Sequence, residues 1–164
     1  MKIVSPEVIA ALLADHRGVR SPGLRERLLN SAVQPGWLAW TGRVASLWDL
    51  SEEAVRAEFA KAASADAWGP SPVPTVMAFH LSGGPATAGA DVGLVRIPDG
   101  FQFPHHGHGE CEEYVVLQGC MRFPDGHREH PGDRIRNDGA VCHRYFAEGE
   151  VIVAIVLRGG LTAG

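Results

Sequence analysis

Cysteine is scarce in this chain of 164 residues, and its pattern excludes two kinds of site. The three cysteines, Cys111, Cys120 and Cys142, contain no CxxC pair, so they form neither a disulfide framework nor a cysteine zinc site. Such a sparse set of thiols fits a reducing compartment, and we expect a cytoplasmic protein.

Long apolar runs and an excess of positive charge are missing too. The longest aliphatic run, 151–157, is far shorter than the roughly 20 residues that cross a bilayer, and Pro6 and Glu7 interrupt the apolar start that a signal peptide would need. Lys and Arg number 15 against 19 Asp and Glu, a formal net charge of −4. Because phosphate contacts need concentrated positive charge, we expect no direct nucleic-acid binding, and no membrane partner either.

Tryptophan, glycine and histidine are unevenly distributed along the chain. All 4 Trp precede residue 69, whereas 15 of the 20 Gly follow residue 82 and most of the histidines lie between 105 and 143. The segment 69–74, GPSPVP, breaks any helix and separates the two compositions. The sequence therefore predicts an N-terminal helical region over residues 1–70 and a second domain over residues 75–160.

Four helices are predicted in the first region. Ser-Pro pairs at 5–6 and 21–22 each place a capping side chain before a proline at the first helical position. The third helix is predicted from a stripe of apolar residues at helical spacing over 37–48. Ser51, followed by two glutamates, begins a fourth helix that extends through Phe59. We interpret the Trp rings of these stripes as helix-packing core.

Short β-prone runs separated by turn residues begin after residue 75. No helix is predicted between them, which is typical of an antiparallel sandwich or barrel. The predicted strands are 76–81, 93–97, 113–117, 120–123, 134–136, 143–146 and 151–157. We therefore expect a mostly β protein with an N-terminal α-helical region.

The stretch 100–119, GFQFPHHGHGECEEYVVLQG, concentrates residues that can bind a metal. His106 and His108 are two apart, so both imidazoles leave the same face of an extended strand. Glu112 follows a short turn later, and His143 begins another predicted strand, so each could reach the same point. Three imidazoles and one carboxylate are a hard-to-borderline ligand set that suits Zn, Fe, Mn, Ni or Co. On a metal that prefers six ligands, such a set leaves positions open.

The spacing G-x5-H-x-H-x3-E-x6-G within this stretch resembles the first motif of the cupins at every position. Their second motif, G-x5-P-x-G-x2-H-x3-N, is matched at Gly132 and His143, with other residues at its Pro, Gly and Asn positions. The resemblance implies a cupin double-stranded β-helix, a jelly-roll barrel, over about residues 75–160, with one divalent transition metal. The ligands that it implies are His106, His108, Glu112 and His143.

Within the cupins, the chain resembles the C-terminal cupin of ChrR-type anti-sigma factors. The similar segments are FPHHGHGECEEYVVLQG, PDGHREHPGDRIRN and VAIVLRGGL, together with the helical lead-in WDLSEEAVRAEFAKA. The His-x3-Cys-x2-Cys zinc element of that family is lacking, since the first cysteine is Cys111. The resemblance implies a sensory protein of transcription regulation, a sigma factor or another protein as partner, and a homodimer.

Strand parity predicts which other side chains face the barrel interior. Tyr114 and Gln118 share the parity of Glu112, and Tyr145 shares that of His143. These three residues are pocket candidates. Either tyrosine could donate a proton to a ligand, and the alternative for each ring is core packing. No catalytic residue follows from the sequence.

Three functions stay open at this point. The chain could be a regulator that senses a small-molecule ligand or oxidant at the metal and relays this to a protein partner through its helices. It could be a metal-dependent enzyme, a dioxygenase, lyase or isomerase acting on a small substrate. It could also bind a ligand without chemistry. The barrel fold hosts all three functions, so the fold alone does not choose among them.

Overall fold

The chain divides into two units, residues 1–35 and 36–164. A computed structural model describes residues 36–139 and 142–163 of the second unit. The two helices predicted around 5–6 and 21–22 lie outside these described residues.

Two helices follow the apolar stripes near the start of the second unit. A 3₁₀ turn, Gly36–Trp40, leads into α1 (Thr41–Trp48), and α2 (Glu52–Ala62) comes next. The Ser51 hydroxyl accepts a hydrogen bond from the Ala54 backbone N–H at 3.2 Å, and the glutamates of the first turn favour the same helix end. Both helices that the sequence predicts here are present. No helix in the described part of the chain has the length and apolar character needed to span a membrane.

Nine strands follow within the described residues, and every pairing among them is antiparallel. In chain order they are β1 (Gly69–Pro70), β2 (Met77–Leu81), β3 (Asp91–Ile97), β4 (Gln102–His108), β5 (Glu112–Arg122), β6 (Arg128–Glu129), β7 (Arg134–Asn137), β8 (His143–Leu157) and β9 (Leu161–Ala163). They pair in the order β1-β2-β3-β8-β4-β9, and β5 pairs with β6, β7 and β8. The sheet curls into a half-barrel, as the fold class predicted from the sequence requires.

Two strands are longer than the sequence predicts. β5 joins the predicted strands 113–117 and 120–123, and β8 joins 143–146 and 151–157. The glycines between the predicted strands, Gly119 with φ +74° and Gly149 with φ +76°, lie inside β5 and β8. Because glycine adopts positive φ without strain, it lets a strand bulge and bend without leaving the sheet.

Alternation along the strands gives the sheet two different faces, because successive side chains of a strand point to opposite sides. On β5, Val115 and Leu117 pack with α1 and α2 in one apolar cluster. Tyr114 and Val116 belong to a second cluster, which also contains Phe103. We name the face that packs on the helices the outer face and the opposite face the inner face.

Trp48 at the end of α1 anchors the helices on the outer face. Its side chain is fully buried, and its ring packs edge-on against Phe59 of α2 with centroids 6.0 Å apart. The indole Nε1 donates a hydrogen bond to the backbone carbonyl of Ile155 in β8 at 3.2 Å. The helical layer is therefore bonded directly to the central strand of the sheet.

Candidate metal centre

Three imidazoles converge on the inner face. His106 and His108 leave β4, and His143 begins β8 directly opposite His106 in the ladder. The Nε2 atom of His143 lies 2.9 Å from Nε2 of His106 and 3.3 Å from Nε2 of His108. All three candidate donor atoms lie within 4.8 Å of one another. These side chains are therefore placed where they could hold a metal ion.

Glu112, the first residue of β5, lies beside the same three nitrogens. Its Oε2 is 3.2 Å from Nε2 of His108 and 3.8 Å from Nε2 of His143. Asn137, its cross-strand neighbour on β7, donates a hydrogen bond from Nδ2 to that oxygen at 3.1 Å. The structure thus brings the four residues of the predicted ligand set to one point.

The distances among these donor atoms fit a shared metal ion. With metal–nitrogen bonds of roughly 2.1 Å, two ligands at right angles lie about 3.0 Å apart, close to the separations seen here. Nδ1 of His106 donates to the backbone carbonyl of Pro104 at 2.9 Å, which leaves the lone pair of Nε2 facing the other donors. Unprotonated nitrogens at such distances repel each other unless a proton or a cation lies between them, so the donor set suits a cation.

Burial sets the protonation state of the centre. It lowers the pKa of His143 to about 4, and it lowers the pKa of His106 against the opposing effect of the hydrogen bond to Pro104. Burial alone would raise the pKa of Glu112, but the hydrogen bonds from His108 and Asn137 outweigh it, so this pKa lies below its usual value. Near neutral pH His106 and His143 are therefore neutral and Glu112 is ionised, which are the forms that bind metals.

The turn that joins β4 to β5 is held by the segment just before β9. The backbone N–H of Glu110 donates to the carbonyl of Arg158 at 3.2 Å, and the N–H of Arg158 donates to the carbonyl of Cys111 at 2.9 Å. β9 then pairs with β4 alongside His106 and His108. The end of the described chain therefore fixes the strand and the turn that carry three of the four predicted ligands.

A cavity of about 300 Å³ opens beside the imidazoles on the inner face. His106, Glu112 and His143 lie at one end of it. No lysine or arginine of residues 36–139 or 142–163 lines it. Most of the wall is apolar, formed by residues such as Ala78, Val95, Phe103, Met121, Val153 and Ile155.

Tyr114 and Tyr145, two of the predicted pocket residues, both line this cavity. The Tyr114 hydroxyl donates to Oε2 of Glu129 at 2.7 Å. Tyr145 stacks on Phe103 with ring centroids 5.0 Å apart, and its hydroxyl has no hydrogen-bond partner among the residues that the structure describes. Burial raises the pKa of both tyrosines well above the usual value, so both are neutral phenols.

Gln118, the third pocket candidate, is not brought to the cavity. β5 shifts register on both sides of this residue, so the alternation that placed it on the inner face is reset there. Its amide nitrogen instead donates to Oε1 of Glu150 at 3.2 Å, and its amide oxygen accepts from Nε1 of Trp37 at 3.4 Å. The side chain therefore lies on the outer side of the sheet, next to the helices.

Two residues of the site were not singled out by the sequence patterns. Glu129 is buried against Tyr114, and Asn137 orients Glu112. Both lie in turn-rich sequence and reach the site only because β6 and β7 pair with β5. A glutamate and an asparagine among turn residues read as solvent-exposed, so only the strand pairing could have identified them.

An antiparallel half-barrel with inward-facing imidazoles beside an apolar cavity is typical of the cupin fold. A family model described as ChrR Cupin-like domain matches residues 56–161, more than half of the chain. The chain therefore belongs to the ChrR cupin-like domain family.

Solved structures are similar to this chain at low sequence identity. ChrR of Rhodobacter sphaeroides, in complex with SigE, is 22% identical over 92% of this chain and 75% of that one, with a TM-score of 0.50. An acetylacetone dioxygenase from Acinetobacter johnsonii is 19% identical over 60% of this chain and 72% of that one, also with a TM-score of 0.50. These likenesses show the cupin fold. No curated protein sequence matches the chain.

Proposed function

We propose that this chain is a regulatory cupin that senses a small molecule or oxidant at a metal centre and relays it to a protein partner, a sigma factor. The metal-binding domain is assigned to residues 75–160 and the partner-binding helical region to residues 1–70. The observation that carries the proposal is that α1 and α2 cover the outer face of the sheet whose inner face bears the imidazoles.

The helical layer and the cavity share strand β8. The side chain of Ile155 lines the cavity, while its backbone carbonyl accepts the hydrogen bond from Trp48. Protein interiors are densely packed, so a displacement of this strand by a ligand must be accommodated by the side chains on its other face. A ligand that displaces β8 in the cavity would therefore also shift α1.

A second connection runs through polar groups. The guanidinium of Arg158, whose backbone holds the turn before Glu112, donates to the carbonyls of Ala86 at 2.7 Å and Ala88 at 3.2 Å. The backbone N–H of Ala86 donates to Oδ2 of Asp49, the residue that ends α1, at 2.8 Å. The ligand-bearing turn and the end of α1 are thus joined by consecutive hydrogen bonds.

The family and its relatives support the same function. The similarity to ChrR, an anti-sigma factor solved with SigE, extends over 92% of this chain, whereas the similarity to the dioxygenase covers 60%. His106, His108, His143 and Glu112 would hold one divalent ion, Zn, Fe, Mn or Ni. When bound, the ion would act as a Lewis acid to which an oxygen atom of a ligand could bind.

A metal-dependent enzyme is the second candidate, favoured by the cavity beside the imidazoles. Such an enzyme, a dioxygenase, lyase or isomerase, needs room for a substrate next to the metal and a group that can donate a proton. The unpartnered hydroxyl of Tyr145 on the cavity wall meets the second need.

Metal analysis combined with partner binding tests the regulatory function. The purified chain is analysed for metals and then tested for binding to purified sigma factors, before and after removal of the ion with a chelator. We expect about one divalent ion per chain and a sigma-factor affinity that changes several-fold when the ion is removed. The mass of the chain in solution tests the proposed homodimer.

His106→Ala and His105→Ala are matched variants for this experiment. Both are on β4, but His105 is exposed whereas His106 is buried among the other imidazoles. We expect His106→Ala to lose the ion and the chelator response, and His105→Ala to keep both. Folded wild-type protein without metal would contradict the metal centre. Iron, no sigma-factor binding and oxygen uptake with a small diketone would instead support the enzyme.

A further inference from the structure

We infer that the cavity beside the imidazoles binds a small, mainly apolar monocarboxylate, with its carboxylate at the metal centre and its hydrocarbon body along β2, β3 and β8. This ligand class rests on the proposed metal centre and names the small molecule that the regulator would sense. Three features of the described residues carry it: the shape and lining of the cavity, the charge of the site, and one unpartnered hydroxyl.

The lining of the cavity selects an apolar body of limited size. Beyond the metal centre, the walls are mainly aliphatic and aromatic side chains such as Ala78, Val95 and Val153, and the polar exceptions are Ser71, the paired His80 and Asp91, and the two tyrosines. A cavity of about 150 Å³ holds one benzene molecule, so the 300 Å³ here accommodates about twice as many non-hydrogen atoms, roughly 10–12. Sugars and polyols, which need many hydrogen-bonding partners, do not fit walls of this chemistry.

The charge of the site selects a single anionic group. Three neutral imidazoles, the Glu112 carboxylate and a divalent ion sum to one positive charge, which a monoanion neutralises. Because no lysine or arginine of the described segments lines the cavity, a phosphate or a dicarboxylate would leave uncompensated negative charge in apolar surroundings. Burying such a charge costs several kcal/mol, so we expect these anions to be rejected.

Tyr145 supplies the remaining contact to the carboxylate. Its ring is fixed by stacking on Phe103 and lies next to His143, with centroids 6.1 Å apart. Its hydroxyl is free to donate to a ligand, whereas the Tyr114 hydroxyl already donates to Glu129 at 2.7 Å. One carboxylate oxygen at the metal and the other at Tyr145 would fix the orientation of the ligand.

A series of carboxylates of increasing length tests this inference by calorimetry. The full chain, loaded with manganese, which prefers six ligands and so keeps positions open, is titrated with acetate, butanoate, hexanoate, octanoate and dodecanoate, and with inorganic phosphate. Burial of each added methylene contributes about 0.8 kcal/mol to the free energy of binding. We therefore expect Kd to fall about fourfold per carbon. The gain should stop near octanoate, which has about 10 non-hydrogen atoms. A Kd that is independent of chain length, or tighter binding of phosphate, would overturn the inference.

Tyr145→Phe and Tyr114→Phe are a matched pair for the carboxylate contact. Removing the Tyr145 hydroxyl keeps the stacked ring and should weaken every carboxylate about 3- to 10-fold, the range of one hydrogen bond, without changing the fourfold step per carbon. Removing the Tyr114 hydroxyl should change Kd less than about twofold. Equal effects of the two variants would contradict the assignment of Tyr145.

Ala78→Leu tests the place of the hydrocarbon body. The added methyl groups occupy part of the cavity wall, so the longest carboxylate that still gains affinity should become shorter, while acetate binds as before. An unchanged length limit would contradict the placement along β2. If the protein bound metal and a sigma factor but its affinity for carboxylates did not depend on their length, only the ligand class inferred here would be wrong. A clear chain-length dependence without a sigma-factor partner would defeat the regulatory function and leave the ligand class standing.

Discussion

The two faces of this sheet use the same strands for opposite purposes. On the outer face, Trp48, Val115 and Ile152 are almost completely buried between helices and strands. On the inner face, neighbouring residues of the same strands surround an open cavity and a cluster of ionisable groups. Because side chains alternate along a strand, one face can be filled for stability while the other stays open for binding. The difference predicts that stability and ligand binding can be changed separately.

The largest expected effect is on the outer face. Trp48→Ala removes a fully buried ring and its hydrogen bond to Ile155, and should lower the free energy of unfolding by about 3–5 kcal/mol, as measured by urea denaturation. Leu38→Ala is the control, because Leu38 is 39% exposed and its truncation should cost less than about 0.5 kcal/mol. Folded Trp48→Ala should still bind the ion, because the four predicted ligands lie on the inner face. Complete loss of metal binding with only a small loss of stability would break the separation of the faces.

An intermediate effect is expected on the inner face. Asn137→Leu removes the hydrogen bond that orients Glu112, and should lower metal affinity about 10- to 100-fold, the usual cost of losing such a partner. Competition with a metal-binding dye measures it. Asp138→Asn changes the next residue, which pairs with Arg136 on the surface, and should leave the affinity unaltered. If both variants bound metal as tightly as the wild type, Asn137 would have no part in the centre.

The smallest effect concerns Glu129 and its dependence on pH. Burial raises the pKa of Glu129, although the Tyr114 hydrogen bond opposes this. The folded protein therefore holds this proton more tightly than the unfolded chain, so the contribution to stability is present below about pH 4.5 and is lost as pH rises through the raised pKa. Glu129→Gln cannot lose this proton. Between pH 4 and pH 8, wild type should lose stability relative to the variant in urea denaturation.

Glu148→Gln is the control for that measurement, because its stability difference from the wild type should change with pH in the opposite direction. The hydrogen bonds from Arg128 and Arg122 lower the pKa of Glu148 on the surface. Its contribution to stability is therefore present above its usual pKa and is lost as pH falls through the lowered one. Wild type should gain stability relative to Glu148→Gln as the pH rises. The same slope for both variants would show that burial of Glu129 is not the cause.

The sequence predicted the elements whose signal is local. The 3.6-residue stripes gave α1 and α2, and the two-residue period placed Tyr114 and Tyr145 on the cavity wall. Gln118 departs from this pattern because a register shift beside Gly119 changes the parity of β5 without any change in residue type. The burial of Glu129 depends on hairpin pairing between distant residues, which no local pattern encodes. Local periodicity thus identifies a face of the sheet, and strand pairing decides which polar residues complete it.

The register of strand β8 links the proposed metal centre to correct folding of the sheet. It begins with His143, and farther along it pairs with both β3 and β5. A slip of one residue would turn every side chain of the strand to the other face, moving His143 away from His106 and sending Ile152 into the cavity. The predicted ligands on β4, β5 and β8 meet only when all three strands are in register. Binding of an ion at the proposed centre would therefore stabilise the correct register, since a misregistered chain lacks the site.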